Sequence, residues 1–196
     1  MSHPLSEDAL DRLFRTARSY NGYLDTPVRE EDLRAIWDLM KMGPTSANML
    51  PARMIWCLSA EAKARLAACA MPKNGDKILA APATVIIGMD LEFHETLPEL
   101  FPHDQTARHW FPDPDARRTH ALRNSSLQGG YFILAARALG FDTGPMSGFD
   151  HAKVDAAFFE GTTVRSNFIS TLGKGDPSTI FGRSPRPPFE RFNTVL

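Results

Sequence analysis

Five short stretches hold the residues of this chain whose types and spacing could do chemistry. Gly43-Pro44-Thr45-Ser46-Ala47-Asn48-Met49-Leu50-Pro51 sets two hydroxyls and a carboxamide between two prolines, beside apolar Met49 and Leu50. Pro44 bars a preceding helix from running on without a kink, and Pro51 favours extended backbone before it. Such a turn offers donors to a flat polar ligand with an apolar rim; it also reads as a helix-stop loop. Arg18-Ser19-Tyr20-Asn21 brings together a guanidinium, a hydroxyl and a carboxamide. These groups grip a phosphate by charge and hydrogen bonds, or solvate a helix end. Asn74-Gly75-Asp76-Lys77 places a cation just before buried structure, either near a cofactor or as a snorkelling surface lysine. Gly144-Pro145-Met146-Ser147-Gly148 reads as a turn whose backbone N–H groups can donate to a heteroaromatic ring. Arg183 and Arg186 lie in a tail rich in proline and arginine. Together these stretches are best suited to a bound organic cofactor with a phosphate and a polar heterocycle.

Other chemistries lack their residues. There is no G-x-G-x-x-G, no Walker loop and no G-x-S-x-G, and glycines 140, 144 and 148 do not have the dinucleotide-binding spacing. Cys57 and Cys69 form no C-x-x-C. His94, His103 and His109 occur with Glu95, Glu99 and Asp104, without H-E-x-x-H or facial-triad spacing, so no metal is expected.

The elements that must position these residues follow from periodicity. A first helix capped by Ser6 is expected to run to about residue 18, with Leu10, Leu13, Phe14 and Ala17 as its apolar stripe. A second spans about 30–42, with Leu33, Ile36, Trp37 and Met40 inward. Residues 53–59 read as a strand, and Ser59 caps a helix to about 68. Residues 83–88 read as the central strand. Residues 91–115, broken by prolines and rich in exposed-type aromatics, suggest a lid or a partner surface. The longest helix is expected over 115–139. Leu122, Leu127, Tyr131, Leu134, Ala135 and Ala138 give it apolar periodicity, and Gly129-Gly130 lets another backbone approach. Asp150 caps a helix to about 159, and 167–172 is a further strand. The tail, about 174–196, has little to pack on in one chain: it is an arm reaching over a partner, or disorder.

The 196 residues suffice for one substantial domain, read here as a single unit spanning 1–196. A net charge of −1 gives no electrostatic reason to expect nucleic acid or an anionic membrane as partner. The start lacks a basic, apolar leader, and the longest apolar stretch, 78–89, is short and contains Pro82. A cytoplasmic protein is expected.

The order Arg18-Ser19-x-Asn21, Pro27-Val28, Pro44-Thr45-Ser46-Ala47-Asn48-x-x-Pro51, Asn74-x-x-Lys77 and Gly144-Pro145-x-Ser147-Gly148, with the basic tail, resembles the FMN-dependent nitroreductase superfamily over nearly the whole chain. Within it, residues 122–129, 144–150, Gly175-Asp176-Pro177 and Arg183-Ser184-Pro185-Arg186 resemble the malonic semialdehyde reductase branch of pyrimidine breakdown. The resemblance implies an α+β fold with a mixed central sheet flanked by helices, an intertwined homodimer, and FMN between subunits. It implies that NADH or NADPH delivers a hydride through FMN to 3-oxopropanoate, or to a nitro, quinone or enone acceptor. By position, Arg18, Ser19, Arg183 and Arg186 would hold the phosphate. Pro44, Thr45, Ser46 and Asn48 would come from the other subunit. Asn21, Asn74 and Lys77 would face the ring's polar edge, and Pro145, Met146, Ser147 and Gly148 would present backbone to it. Where many members have a cation two residues after the serine, this chain has Asn21, leaving Lys77 as the catalytic cation. Leu50-Pro51 replaces a common Gln-Pro, and Ser147 a common glutamate.

Overall fold

The computed structural model describes residues 3–196. Four strands, β1 (Ala52–Cys57), β2 (Ala83–Asp90), β3 (Asp142–Met146) and β4 (Val164–Gly173), form one sheet in the order β1-β2-β4-β3. All three ladders are antiparallel; the parallel component is confined to a bridge between Ser19 and Thr143 along the outer edge of β3. β2 is central and buried on both faces, as its unbroken apolar run dictates. Its pleat sends Val85 and Ile87 to one side, onto Leu33, Ile36 and Met40 of α2 (Glu30–Met40) and Phe132 of α6 (Pro114–Ala138). Ile86 points to the other side, among Leu66 of α3 (Ala60–Ala67), Ile78 of α4 (Pro72–Ala80) and Val154 of α7 (His151–Phe158). Helices thus cover both faces of an α+β sheet.

The capping residues act as their types suggest. Ser6 and Ser59 accept hydrogen bonds from the N–H groups of Ala9 and Ala62, and Asp150 from that of Lys153. Two expectations change, and one helix appears where no element was expected. The first helix is short: α1 (Glu7–Leu10) runs into a π turn over Asp11–Arg15, buries nothing, and leaves Phe14 exposed. Leu10, Leu13 and Ala17 of the expected stripe are half-buried, with Leu13 beside Tyr131 and Leu134. Residues 142–146 are edge strand rather than turn; Pro145, lacking an N–H, is tolerated at an edge. Residues 72–80 form a helix, with Pro72 in its first turn.

α6 keeps the expected length, but its sheet-facing side is not the leucine stripe. Ala121, Asn124, Ser125, Gln128, Gly129, Phe132, Ala135 and Ala136 are buried, while Leu122 and Leu127 are 46% and 44% exposed. A Cβ on Gly129 would overlap the Phe168 ring of β4, so it is a side chain, not another backbone, that approaches there. Nothing lies within 4 Å of the corresponding position on Gly130.

Residues 91–115 are less open than their composition suggests. Phe93, Leu97 and Phe111 are buried with Met49 and Met89 in a third apolar cluster, leaving Trp110 as the exposed aromatic. Short turns and α5 (Leu97–Leu100) carry the chain through it. From residue 181 onward, through α8 (Phe189–Phe192), the chain is exposed, including Phe181, Phe189, Phe192 and Val195.

Candidate cofactor-binding site

Chain order scatters the candidate residues, and the fold gathers them into three groups. The first is cationic. Arg18, Ser19, Asn21, Arg137, Arg183 and Arg186 line one cavity of about 240 Å³. The Ser19–Thr143 bridge fixes one wall, and Tyr20 N donates to Thr143 O at 3.1 Å. The tail supplies the other wall: Arg18 donates to Phe181 O, and Arg183 to Ala17 O at 2.9 Å. Asn21 belongs here, donating to Thr179 O at 2.9 Å, rather than beside Asn74. Among the described residues, none of the four guanidiniums pairs with a carboxylate within 4.0 Å. Burial holds Arg137 below its ordinary pKa, with Asp142 opposing and Arg183 adding to the effect, and its Nε has no partner. Arginine forks of one sign, turned to carbonyls alone, are a donor set that an anion such as a phosphate completes.

The second group lies beyond the other end of β3. Gly148 O accepts from Asn74 Nδ2 and from Met71 N, both at 3.0 Å. Asp150 N donates to Cys69 O at 2.8 Å, which pins the turn to the α3–α4 junction. A Cβ on Gly148 would stand 2.5 Å from Asn74 Nδ2, so this approach needs glycine. Lys77 follows Asn74 by three residues on α4, hence on the same helix face, and is half-buried. Pro145 and Ser147 are exposed; Met146 is half-buried. Ser19 faces Thr143, four residues before Ser147. At about 3.3 Å per strand residue the two groups stand about 13 Å apart.

The third group is the 43–51 stretch. Ala47, Asn48 and Leu50 have φ values of 48°, 50° and 38°, left-handed backbone that costs L-residues about 1–3 kcal/mol each. α6 holds this loop: Ser46 N donates to Asn124 Oδ1 at 2.9 Å, Ala52 N to Gln128 Oε1 at 2.8 Å, and Tyr131 Oη to Pro44 O at 2.8 Å. Thr45 Oγ1 accepts from Leu50 N at 3.2 Å, and Asn48 Nδ2 donates to Leu100 O at 2.8 Å. Ser46 and Pro44 are exposed. Sequence reading did not single out Asn124, Gln128 or Tyr131 for this role. The available signal was two carboxamides one turn apart on an otherwise small-residue helix face.

The loop rests on the middle of α6, from Asn124 to Tyr131, and the cationic cavity lies at the helix's C-terminal end. Asn124 and Arg137 are thirteen residues apart, which at 1.5 Å per residue is about 20 Å. Elsewhere, Glu92, His94 and Glu95 are close enough to share a cation, but Arg117 and Arg108 already pair with the two carboxylates. Both cysteines are free and buried; burial pushes the Cys57 thiol up to about 11, away from nucleophilic use.

A family model described as the nitroreductase family matches residues 14–160. The chain belongs to the nitroreductase family. A family member from Caulobacter sp. (strain K31), named "Putative NADH dehydrogenase/NAD(P)H nitroreductase", is 58% identical over 192 residues, covering 98% of each chain. The nitroreductase fold is shared with a "putative nitroreductase in complex with FMN" from Exiguobacterium sibiricum 255-15, at TM-score 0.85 and 21% identity over the whole of both chains. It is shared too with CLA-ER, an enone reductase of gut-bacterial fatty acid saturation metabolism, at TM-score 0.83 and 18% identity, covering 98% of this chain and 100% of that one. Among the described residues, no helix of this nitroreductase-family chain is long and apolar enough to cross a membrane.

Proposed function

We propose that this chain is an FMN-dependent NAD(P)H oxidoreductase that reduces 3-oxopropanoate to 3-hydroxypropanoate in pyrimidine breakdown. The observation that carries the cofactor reading is the cavity of carboxylate-free guanidiniums at Ser19, with Asn74, Lys77, Ser147 and Gly148 about 13 Å along β3. That polarity suits a phosphate at one end and a heterocycle at the other. Bound FMN supplies hydride transfer between a nicotinamide and an acceptor, chemistry that no side chain here provides. Arg18, Arg183 and Arg186 hold the phosphate, with Ser19 beside them. Lys77 sets positive charge at the ring's polar edge, and the backbone from Pro145 to Gly148 addresses the ring. The acceptor assignment rests on the resemblance of residues 122–129, 144–150, 175–177 and 183–186 to malonic semialdehyde reductases. A substrate carboxylate calls for a cation: Arg123 is exposed on α6, whereas Arg108 is engaged by Glu95. The names of the Caulobacter relative and of CLA-ER favour a second reading, a nitro- or enone reductase of broad specificity. Two free, buried cysteines support a cytoplasmic setting.

The complete site takes two chains. Within one chain Ser46 is held at Asn124, about 20 Å along α6 from Arg137 of the cavity, so in this reading a partner copy brings its own Thr45–Ser46 turn to the ring. An unpartnered apolar surface supports this. Leu122, Leu127 and Phe14 are exposed, and Leu13, Leu39, Tyr131, Leu134 and Ala138 line a groove. The free edge of β1 and the phenylalanine-bearing arm from residue 181 onward supply further intertwining surface. Sedimentation at micromolar concentration should therefore give a homodimer; a folded monomer that retains FMN would sink the two-chain site. The substrate is tested by steady-state NADH and NADPH oxidation on FMN-loaded protein, with 3-oxopropanoate against a nitroaromatic, quinone and enone panel. The proposal expects the highest kcat/KM for 3-oxopropanoate. A nitroaromatic or enone that exceeds it transfers the assignment to the second reading.

A further inference from the structure

We infer that Asn124 is a positioning residue: through its carboxamide, with Gln128 and Tyr131 on the same face, α6 dictates the shape of the 45–50 loop that each subunit lends to the other's cofactor. This deepens the FMN reading and rests on it for its consequence, not for its geometry.

Positions 124, 128 and 131 follow one another at helical spacing and share a face. Each bonds to the backbone of residues 44–52 rather than to another side chain. Asn124 is 2% exposed and Gln128 is fully buried. Burying a carboxamide is unfavourable unless its polar atoms are paired, and a leucine would fill the same space more favourably. The helix itself has no use for the amide oxygens, since its own N–H groups are satisfied internally. The loop has: Ser46 N lies outside the sheet and finds its acceptor only in Asn124. Asn124 Nδ2 donates to His120 O at 2.9 Å, one turn back, which fixes the amide with its oxygen toward the loop. Three left-handed residues follow directly, at 47, 48 and 50. Backbone of that kind persists only where surrounding contacts over-determine it, and the α6 face supplies those contacts together with buried Met49. Released from Asn124, the loop relaxes toward extended or right-handed backbone and carries the Thr45 and Ser46 hydroxyls away. Asn124, Gln128 and Tyr131 therefore hold the loop without touching the cofactor.

The test uses the full chain with two readouts, hydrogen exchange over residues 45–50 without FMN, and FMN affinity by fluorescence titration. Asn124→Leu should speed exchange at 46–50 and weaken FMN at least about tenfold, since a buried N–H is left unpaired. Asn124→Asp, kept protonated by burial so that its O–H replaces the donor to His120 O, keeps the acceptor for Ser46 N and should restore affinity to within about threefold of wild type. A merely structural role would lower the melting temperature in both variants without this rescue. If Asn124→Leu does not fold, Tyr131→Phe, which removes only the hydroxyl on Pro44 O, should move both readouts in the same direction by a smaller factor. Unchanged exchange over 45–50 in the folded variants overturns the inference. If exchange responds as expected and even wild type binds no FMN, the positioning stands and the cofactor reading fails.

Discussion

Lys77→Met is expected to lower the midpoint potential of bound FMN by tens of millivolts while leaving FMN affinity nearly unchanged. Two-electron reduction adds negative charge to the ring's polar edge, and a nearby ammonium favours that charge by direct attraction. At 4 Å and an effective dielectric of 20 the attraction is about 4 kcal/mol. Lys77 is half-buried, so solvent screens part of it. A residue of ~1.4 kcal/mol corresponds to about 30 mV for a two-electron couple. Methionine keeps most of the aliphatic length and is a good helix former, so α4 and the Asn74–Gly148 contact should persist. Asn21 carries no charge and is occupied by Thr179 O, so it cannot substitute. Spectroelectrochemical titration of the two proteins decides the matter. An unchanged potential in a folded, FMN-loaded variant removes Lys77 from the ring's edge, and lost stability with an unmoved potential makes it structural.

Arg18→Ala should weaken FMN by ~2 kcal/mol, about thirtyfold, the scale of a hydrogen bond to a charged group. Arg18 has two attachments to lose, the anion and the tail carbonyl of Phe181, so the variant also loosens the wall that carries Arg183 and Arg186. Arg186→Ala should cost less, because the Arg186 guanidinium bonds only to its near neighbours Ser184 O and Pro185 O. Raised salt should weaken wild-type binding more than that of Arg18→Ala, since one screened cation is already gone. Fluorescence titration at two ionic strengths measures both effects, and an affinity that does not change excludes Arg18 from the phosphate site.

Much of the fold is legible from local rules because local rules formed it. The buried run 83–88, the capped helix starts at Ser6, Ser59 and Asp150, and the left-handed stop at Gly140 (φ 84°) depend on residues within one turn of each other. The misreadings arise where distant contacts decide. Asn74 and Gly75 argue against a helix over 72–80, yet Gly75 is buried against the Ala67 carbonyl of α3, so packing overrides propensity. Gly144 suggests a turn, but β4 pairs with it and makes a strand. On α6 the leucines give the stronger apolar pattern, and the helix instead buries small and amide residues. Its partners are the Phe168 ring and a loop nearly eighty residues earlier in the chain, and no window of sequence contains them. The candidate site shows the same division. Its residue types stand in plain order, but Arg137 joins the arginines only through the fold, and Asn21 leaves Asn74 for the tail because Thr179 lies 158 positions away.

The arginine cavity also has a history in time. Arg18 closes on Phe181, 163 positions later, and Arg183 on Ala17, 166 positions earlier. Closing a loop of that length is the entropically costliest contact of the cavity, and the four strands are complete by Gly173 without it. The wall around Arg18 is therefore expected to close after the sheet as the chain folds, and to open before the sheet does when stability is reduced.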